Sequence, residues 1–276
     1  MLGDVLIALL GGGVMGEAIT SSLIRGLHVT SDQITIAEPL LERREYLDRT
    51  YGVHVTASNA DAVRNADILV LSVKPQMMAA ALSAIRGVLS PSALVISIAA
   101  GVAIRTIAEH LNTQQPIVRV MPNTPAQIGQ GISVWTTTPN VSPEQRERAR
   151  LVLSSMGQEI LVDNENYLDM ATALSGTGPA YVFLFMEALI DAGVHMGFSR
   201  SVSERLVEQT MKGSVEYAIQ SKRHVAELRN QVTSPAGTTA AALYQLEKGG
   251  LRHIISRAVW AAYERSLALG RIKDEK

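Results

Sequence analysis

Three glycines, Gly11, Gly13 and Gly16, follow directly on the apolar run Val5–Leu10, in the order G-G-G-V-M-G. This is the spacing G-x-G-x-x-G. The first glycine can make a tight turn, the second lets the backbone approach a pyrophosphate, and the third lets a helix pack on a strand. A helix starting here would offer its N-terminal amides and positive dipole end to the phosphates. Three glycines can also form only a turn. The strand-like run before them, the apolar helix after them and their place at the chain start favour a dinucleotide. Glu38 closes the second apolar run, where an acidic residue accepts the adenosine ribose hydroxyls. A carboxylate there repels a 2′-phosphate and favours NADH over NADPH. Arg43 and Arg44 follow closely. Either they turn towards a phosphate or they lie on a solvated helix face.

Three further segments end apolar runs: Ser72-Val73-Lys74-Pro75, Ala99-Ala100-Gly101 and Pro122-Asn123-Thr124-Pro125. If the runs are parallel strands, all three lie at the carboxyl edge where open α/β sheets bind ligands. Small residues there leave room for a flat ring. Each segment alone is compatible with an ordinary turn. Near the other end of the chain, Ser234-Pro235-Ala236-Gly237-Thr238-Thr239 offers different chemistry. Ser234 suits a helix N-cap and Pro235 its first position. The amides of Ala236 to Thr238 would then point outward as an anion site. Gly237 leaves space for a small ring, and Thr239 supplies a hydroxyl. The alternative is a well-capped helix start without a ligand. The histidines do not pair at metal-ligand spacing, so no metal site is expected. Met77 and Met78 read as helix packing.

The elements that must position these residues change character along the chain of 276 residues, which suggests two domains. Through residue 163, the short apolar runs Val5–Leu10, Ile34–Ala37, Ile68–Val73, Leu94–Ile98 and Ile117–Met121 alternate with helical stretches. Such continuous runs suit parallel strands covered on both faces, hence an α/β sheet of right-handed βαβ units. Beyond 163 the strand runs stop. Pro179 suits a first helical turn, and Ala180–Met196 is apolar apart from the stripe Glu187, Asp191, His195, so it predicts a helix buried almost all round. A second helix is expected at Ser201 with Glu204 completing a capping box, a third at Pro235 and a fourth over 251–268.

Composition excludes several classes. With 25 basic and 26 acidic residues the formal net charge is −1, so no general affinity for nucleic acid or an anionic membrane is expected. Cysteine is absent, which removes disulfides, thiolate metal sites and cysteine nucleophiles and suits the cytoplasm. No apolar run reaches the roughly 20 residues of a membrane-spanning helix. The N-terminal run lacks a positive flank and follows Asp4, so it reads as a buried first strand and not as a signal peptide.

G-G-G-V-M-G, S-V-K-P, I-A-A-G-V, V-M-P-N-T-P-A, L-S-G-T-G-P-A-Y and T-S-P-A-G-T-T occur here in the order seen in pyrroline-5-carboxylate reductases. The chain resembles that family from about residue 5 to 270. The resemblance implies a Rossmann-type dinucleotide-binding domain over 1–163. It implies an all-α dimerisation and substrate-binding domain over 164–276, and a homodimer or a higher homo-oligomer built from dimers. It implies reduction of a small-molecule cyclic imine, 1-pyrroline-5-carboxylate, to L-proline with NADPH or NADH. Carried over by position, the cofactor residues are Leu10, Gly11, Gly12, Gly13, Val14, Met15, Gly16, Asn59, Ser72, Val73, Lys74, Pro75, Ala99, Ala100 and Gly101, with Asn123 near the nicotinamide. Val232, Gly237, Thr238 and Thr239 would hold the substrate, and Thr239 would hydrogen-bond the imine nitrogen. The sequence departs from the family at Glu38, at Lys222, and at Val225 and Asn230, which replace a usual proline and aspartate.

Imine reduction demands little acid–base machinery. The site must hold the imine carbon near the nicotinamide, exclude water and anchor a carboxylate. A β-hydroxyacid dehydrogenase would need a helix lysine with a nearby asparagine. Lys212 is followed four residues on by Glu216, so it reads as a solvated charge. A reductase of another cyclic imine, or a non-catalytic dinucleotide-binding regulator, remain alternatives.

Overall fold

The computed structural model describes residues 2–26, 28–111 and 114–271. An eight-stranded sheet forms in the first part of the chain, in the order β3-β2-β1-β4-β5-β6-β7-β8. The strands are β1 (Ile7–Leu10), β2 (Ile34–Ala37), β3 (His54–Thr56), β4 (Ile68–Leu71), β5 (Leu94–Ser97), β6 (Ile117–Met121), β7 (Gly131–Thr137) and β8 (Gly157–Leu161). The helices between them are α1 (Val14–Arg25), α2 (Leu41–Tyr51), α3 (Asn59–Val63), α4 (Met78–Ile85), α5 (Ile104–His110) and α6 (Pro143–Ser154). Neighbouring strands from β3 to β6 are parallel, with β1 and β4 in register from Ile7↔Ile68 to Leu10↔Leu71. The doubly wound order turns back at the β1/β4 boundary, the switch point where such sheets open a crevice.

The five expected strands are present. Their continuous apolar character has a direct cause: alternate residues feed two cores. Ile7 and Leu9 of β1 pack into one, Ala8 and Leu10 into the other; β4 divides likewise, Ile68 and Val70 from Leu69 and Leu71. No face is left wet. β3, β7 and β8 have no such signature in the sequence. β7 pairs antiparallel with β6 and buries the polar Ser133 and Thr136, and β8 is a partly exposed edge strand, so none carries an unbroken apolar run.

The chain divides into two compact units, one of 1–177 with 262–276 and one of 178–261. The change of sequence rhythm at 163 precedes this division. The reason is that α7 (Tyr167–Ala171) and the π-helical turn Thr172–Gly176 still belong with the sheet. Arg119 on β6, 5% exposed, shows how. Its guanidinium donates to Glu165 at 2.7 Å and lies 3.7 Å from Asp169. Glu165 also accepts from the Ile104 amide at the start of α5, and Asp169 accepts from the Ser266 hydroxyl.

The second unit contains α8 (Gly178–His195), α9 (Arg200–Ser221), α10 (Val225–Gln231), α11 (Thr238–Lys248) and the first half of α12 (Leu251–Arg271). Pro179 falls in the first turn of α8, as expected. The cap of α9 is Ser199, which accepts from the Val202 amide, and not Ser201. α10 is a further helix, too short to show a hydrophobic period. The expectation that Ala180–Met196 is buried all round is not met within one chain. Only Gly193 of α8 is buried, while Phe183 and Leu184 are 61% and 67% exposed. Among the described residues, Tyr167–His195 is one stretch long and apolar enough to cross a membrane by length and composition.

The Arg119 cluster generates the first prediction. Arg119→Met leaves two carboxylates facing a buried site without their cation, a loss on the order of 3 kcal/mol. The thermal midpoint should fall clearly, and the double variant Arg119→Met with Glu165→Gln should recover part of the loss.

Candidate functional site

The glycine loop joins β1 to α1 at the switch point. Gly11 has φ +101°, and a Cβ there would come within 2.9 Å of the Ser72 carbonyl oxygen, so no side chain is possible. Gly16 is equally confined, because its Cβ would overlap the Gly11 carbonyl. Gly13 differs: nothing lies within 4 Å of where its Cβ would project. Confinement beneath and open space above are the shape a phosphate-binding backbone needs.

The loop is pinned from three sides. Ser72 after β4 donates from its hydroxyl to the Leu10 and Gly11 carbonyls at 2.9 and 2.7 Å. Glu38 after β2 accepts from the Gly12 amide at 2.9 Å and, through its other oxygen, from the Leu40 amide at 3.1 Å. Arg43 on α2 donates to the Gly12 carbonyl at 2.7 Å.

A cavity of 420 Å³ lies in the crevice beside the loop. Gly11, Gly13, Glu38, Asn59, Ser72, Val73 and Lys74 line it, which brings together seven residues singled out from the sequence. Ala57, Met77, Ala80 and Ala81 line it as well. Met77 is thus on the cavity, 57% exposed, while Met78 is packed in the core as expected. The mostly small, apolar wall with one carboxylate and one lysine fits the adenosine half of a dinucleotide.

Other expected cofactor residues stand apart from this cavity. The Leu10 side chain is fully buried in the sheet core, and only its carbonyl serves the loop. Gly12 is buried beneath the loop, where its Cβ would press on Leu47 and Glu38. Val14 is exposed in the first turn of α1, and Met15 packs partly against the core. Pro75 opens the single turn before α4. Ala99 is buried in the second core, and Gly101 makes a left-handed turn at φ +68° beyond β5.

Asn123 has a structural task. Its amide group donates to the Ser175 carbonyl at 3.2 Å and its oxygen accepts from the Ile132 amide at 2.9 Å. Beside it, Gly176 lies against Met121, since a Cβ there would strike the methionine methyl. The segments Met121–Ala126 and Ser175–Gly176 therefore meet in space. Both arginines after β2 are engaged as well, so the solvated-face reading fails for them. Arg44 donates to the carbonyls of Glu38 and Pro39 at 2.7 and 2.8 Å, and Arg43 pairs with Glu17 of α1.

In the second unit, helix α11 begins three residues later than expected. Ser234–Gly237 is a turn closed by the Gly237 amide donating to Ser234, and Gly237 is the N-cap. Ala236 takes a left-handed conformation at φ +58°. The first helical bond runs from the Ala241 amide to Gly237, so the amides presented at the helix start are those of Thr238, Thr239 and Ala240, not Ala236 to Thr238. Gly237 is small for a reason within its own turn. A Cβ there would meet the Ser234 hydroxyl, so its smallness serves the turn. Thr239 is half-buried in the first turn and Val232 is exposed. Lys212 is exposed on α9.

Residues 165–269 match the family model described as pyrroline-5-carboxylate reductase dimerisation, and 6–101 match one described as NADP oxidoreductase, coenzyme F420-dependent. A pyrroline-5-carboxylate reductase of Synechocystis is 40% identical over 268 residues, covering 97% of this chain and 99% of the relative. The chain belongs to the pyrroline-5-carboxylate reductase family. A solved pyrroline-5-carboxylate reductase from Coxiella burnetii superimposes with a TM-score of 0.89 at 35% identity, over 98% of this chain and all of that one. A Plasmodium falciparum pyrroline carboxylate reductase, solved with NADP bound, also gives 0.89, at 36% identity over 96% and 98% of the two chains.

Two of the departures from the reductase family, Lys222 and Val225, fall at helix boundaries. Lys222 ends α9 in a left-handed conformation at φ +55°. Val225 opens α10 just after His224, whose ring nitrogen accepts from the Ala226 amide. Nothing in the structure explains Asn230.

Glu38 carries both a charge facing the cavity and the brace on Gly12, and the two can be separated. Glu38→Gln keeps one acceptor oxygen for the Gly12 amide, gives up the one that serves Leu40, and removes the charge that repels a 2′-phosphate. Direct nucleotide titration should show the ratio of NADPH to NADH affinity rising several-fold, with NADH binding weakened only modestly. An unchanged ratio removes Glu38 as the discriminating residue.

Proposed function

We propose that this chain reduces the cyclic imine 1-pyrroline-5-carboxylate to L-proline with NADPH or NADH, the last step of proline biosynthesis. The observation that carries this reading is the near full-length kinship with reductases of that name. The pinned glycine loop and the amide-presenting start of α11 support it independently.

When bound, the nicotinamide supplies a hydride to the imine carbon. The chain's own residues bind and orient. Gly11, Gly13 and the first turn of α1 would hold the pyrophosphate, with Asn59 and Ser72–Lys74 along the adenosine side. The amides of Thr238 to Ala240 suit the substrate carboxylate by charge and by their unused donors. The Thr239 hydroxyl would hydrogen-bond the imine nitrogen, and Val232 would flank the ring. A protonated cyclic imine is already a good hydride acceptor, so neither a strong base nor a metal is required.

The division of labour in this reading assigns cofactor binding to 1–163, and substrate binding and self-association to 164–276. Exposed Phe183, Leu184, Phe185, Leu206 and Trp260 support a homodimer, or a larger homo-oligomer built from dimers, because water is a poor medium for so large an apolar surface. The partner is then a second copy and not a bilayer or nucleic acid. A cytoplasmic location goes with this reading and suits a sequence without cysteine.

Oxidation of NADH and NADPH, followed in parallel with pyrroline-5-carboxylate and its six-membered homologue, tests the reaction and its ring size together. No turnover with either imine defeats the reading. Thr239→Ala removes one hydrogen bond, worth roughly 1–3 kcal/mol with a charged or buried partner, hence about a 5- to 150-fold loss in turnover. Thr239→Ser should keep most activity. A Thr239→Ala enzyme as fast as wild type reduces Thr239 to a helix-start residue. For assembly, sedimentation should give a dimer or a multiple of it. Leu184→Asp should produce aggregated or unfolded chain and no active monomer. A fully active wild-type monomer would contradict the interface.

A further inference from the structure

The peptide groups of the glycine loop are unequally held. The Gly11–Gly12 peptide is clamped at both ends, its carbonyl by Ser72 and its N–H by Glu38. The Gly12–Gly13 peptide is gripped by a side chain at its carbonyl, where Arg43 Nε donates at 2.7 Å. In a planar trans peptide the C=O and N–H point in opposite directions. Fixing the Gly12 carbonyl towards α2 therefore turns the Gly13 N–H away from α2, and Gly13 lines the cavity.

We propose that Arg43 is a positioning residue for the cofactor: it sets the Gly12–Gly13 peptide so that the Gly13 amide faces the pyrophosphate. This rests on the reading of the cavity as a dinucleotide site. Arg43 is itself held in place. Its terminal nitrogen pairs with Glu17, and its guanidinium lies 4.9 Å from the centre of the Tyr46 ring. Glu17 accepts from the Tyr46 and Tyr51 hydroxyls at 2.9 and 2.7 Å, so α1 and α2 are joined through one carboxylate. Burial pushes the Glu17 carboxyl up, but the donors Arg43, Tyr51 and Tyr46 outweigh it and hold the group below its ordinary range. Burial and the same carboxylate push Tyr51 up to about 12, so it stays a neutral donor.

The arrangement also answers an electrostatic difficulty. Glu17 lies in the first turn of α1, one helical step from the loop meant to receive an anion. Arg43 neutralises it there. A guanidinium can serve the carbonyl through Nε and the carboxylate through a terminal nitrogen in one rigid plane, which an ammonium cannot. Arg43 thus acts on the cofactor without touching it, unlike an arginine that grips a 2′-phosphate.

The test is fluorescence titration of NADH and NADPH with the full-length wild type, Arg43→Lys, Arg43→Ala and Glu17→Gln, beside steady-state kinetics. Arg43→Lys should weaken both nucleotides by a similar factor, about tenfold for one charge-assisted hydrogen bond. The loss should appear in KM for the nucleotide and little in kcat or in KM for the imine. Glu17→Gln should shift both nucleotides the same way by a smaller factor, and methylguanidinium should restore part of the affinity of Arg43→Ala. Loss confined to NADPH overturns the proposal, because Arg43 then contacts the 2′-phosphate. Unchanged nucleotide affinity overturns it too, as does a fall in kcat that tracks the melting temperature without a nucleotide-specific effect. A wild type that binds neither nucleotide overturns the cofactor reading itself, and the proposal with it.

Discussion

At the carboxyl ends of β1 and β4 two backbones approach so closely that the Gly11 position has no room for even one methyl group. That approach governs the geometry of the whole cofactor site. It turns the chain sharply into α1, brings the Ser72 hydroxyl against two loop carbonyls, and opens the crevice where the strand order reverses. The loop's polar groups are then consumed from below and from the side by Ser72, Glu38 and Arg43. What remains unconfined is the face of Gly13 and the first turn of the helix. The site is a surface produced by elimination: every direction but one is filled.

The five central strands were legible because both of their faces are buried, which forces unbroken apolar runs. β7 and β8 were not, because their burial alternates or fails. Trp135 is fully buried on β7, yet its indole donates to Glu159 on β8, and a strand carrying a glutamate with a structural role has no simple hydropathy signature. In the site, residue types and spacing pointed to Gly11, Gly13, Glu38 and Ser72–Lys74 and the family resemblance added Asn59, and these residues line one cavity. Type and spacing could not reveal what each polar group was already bonded to. Arg43 read as either a phosphate contact or a solvated charge on a helix, because nothing in a linear sequence links it to Glu17, Tyr46 and Tyr51. Asn123 carried a site expectation but ties two turns together.

The substrate segment shows the same limit from another side. Ser234 and Pro235 have the composition of a helix start, and the chain instead inserts a full turn before α11 begins. The left-handed Ala236 is the physical sign of that detour, since only a cooperative local framework holds an alanine there. The consequence is a shift of the available amides to Thr238–Ala240, which places the half-buried Thr239 in the same first turn as those donors. Amides and hydroxyl thus come from consecutive residues of one rigid element.

The π-helical turn at Thr172–Gly176 has a genetic meaning. Such a turn is an α-helix carrying one surplus residue, closed here by the Thr177 amide on the Thr172 carbonyl at 2.8 Å. Losing a single codon in this stretch would restore ordinary helical bonding at little cost to the backbone. It would also swing the Ser175 carbonyl by about 100°, the rotation of one helical residue, and so take it away from the Asn123 amide. The reading frame would survive and the helix would survive, while the tie between two distant segments would vanish. At this place the tie depends on the length of the segment more than on the identity of its residues.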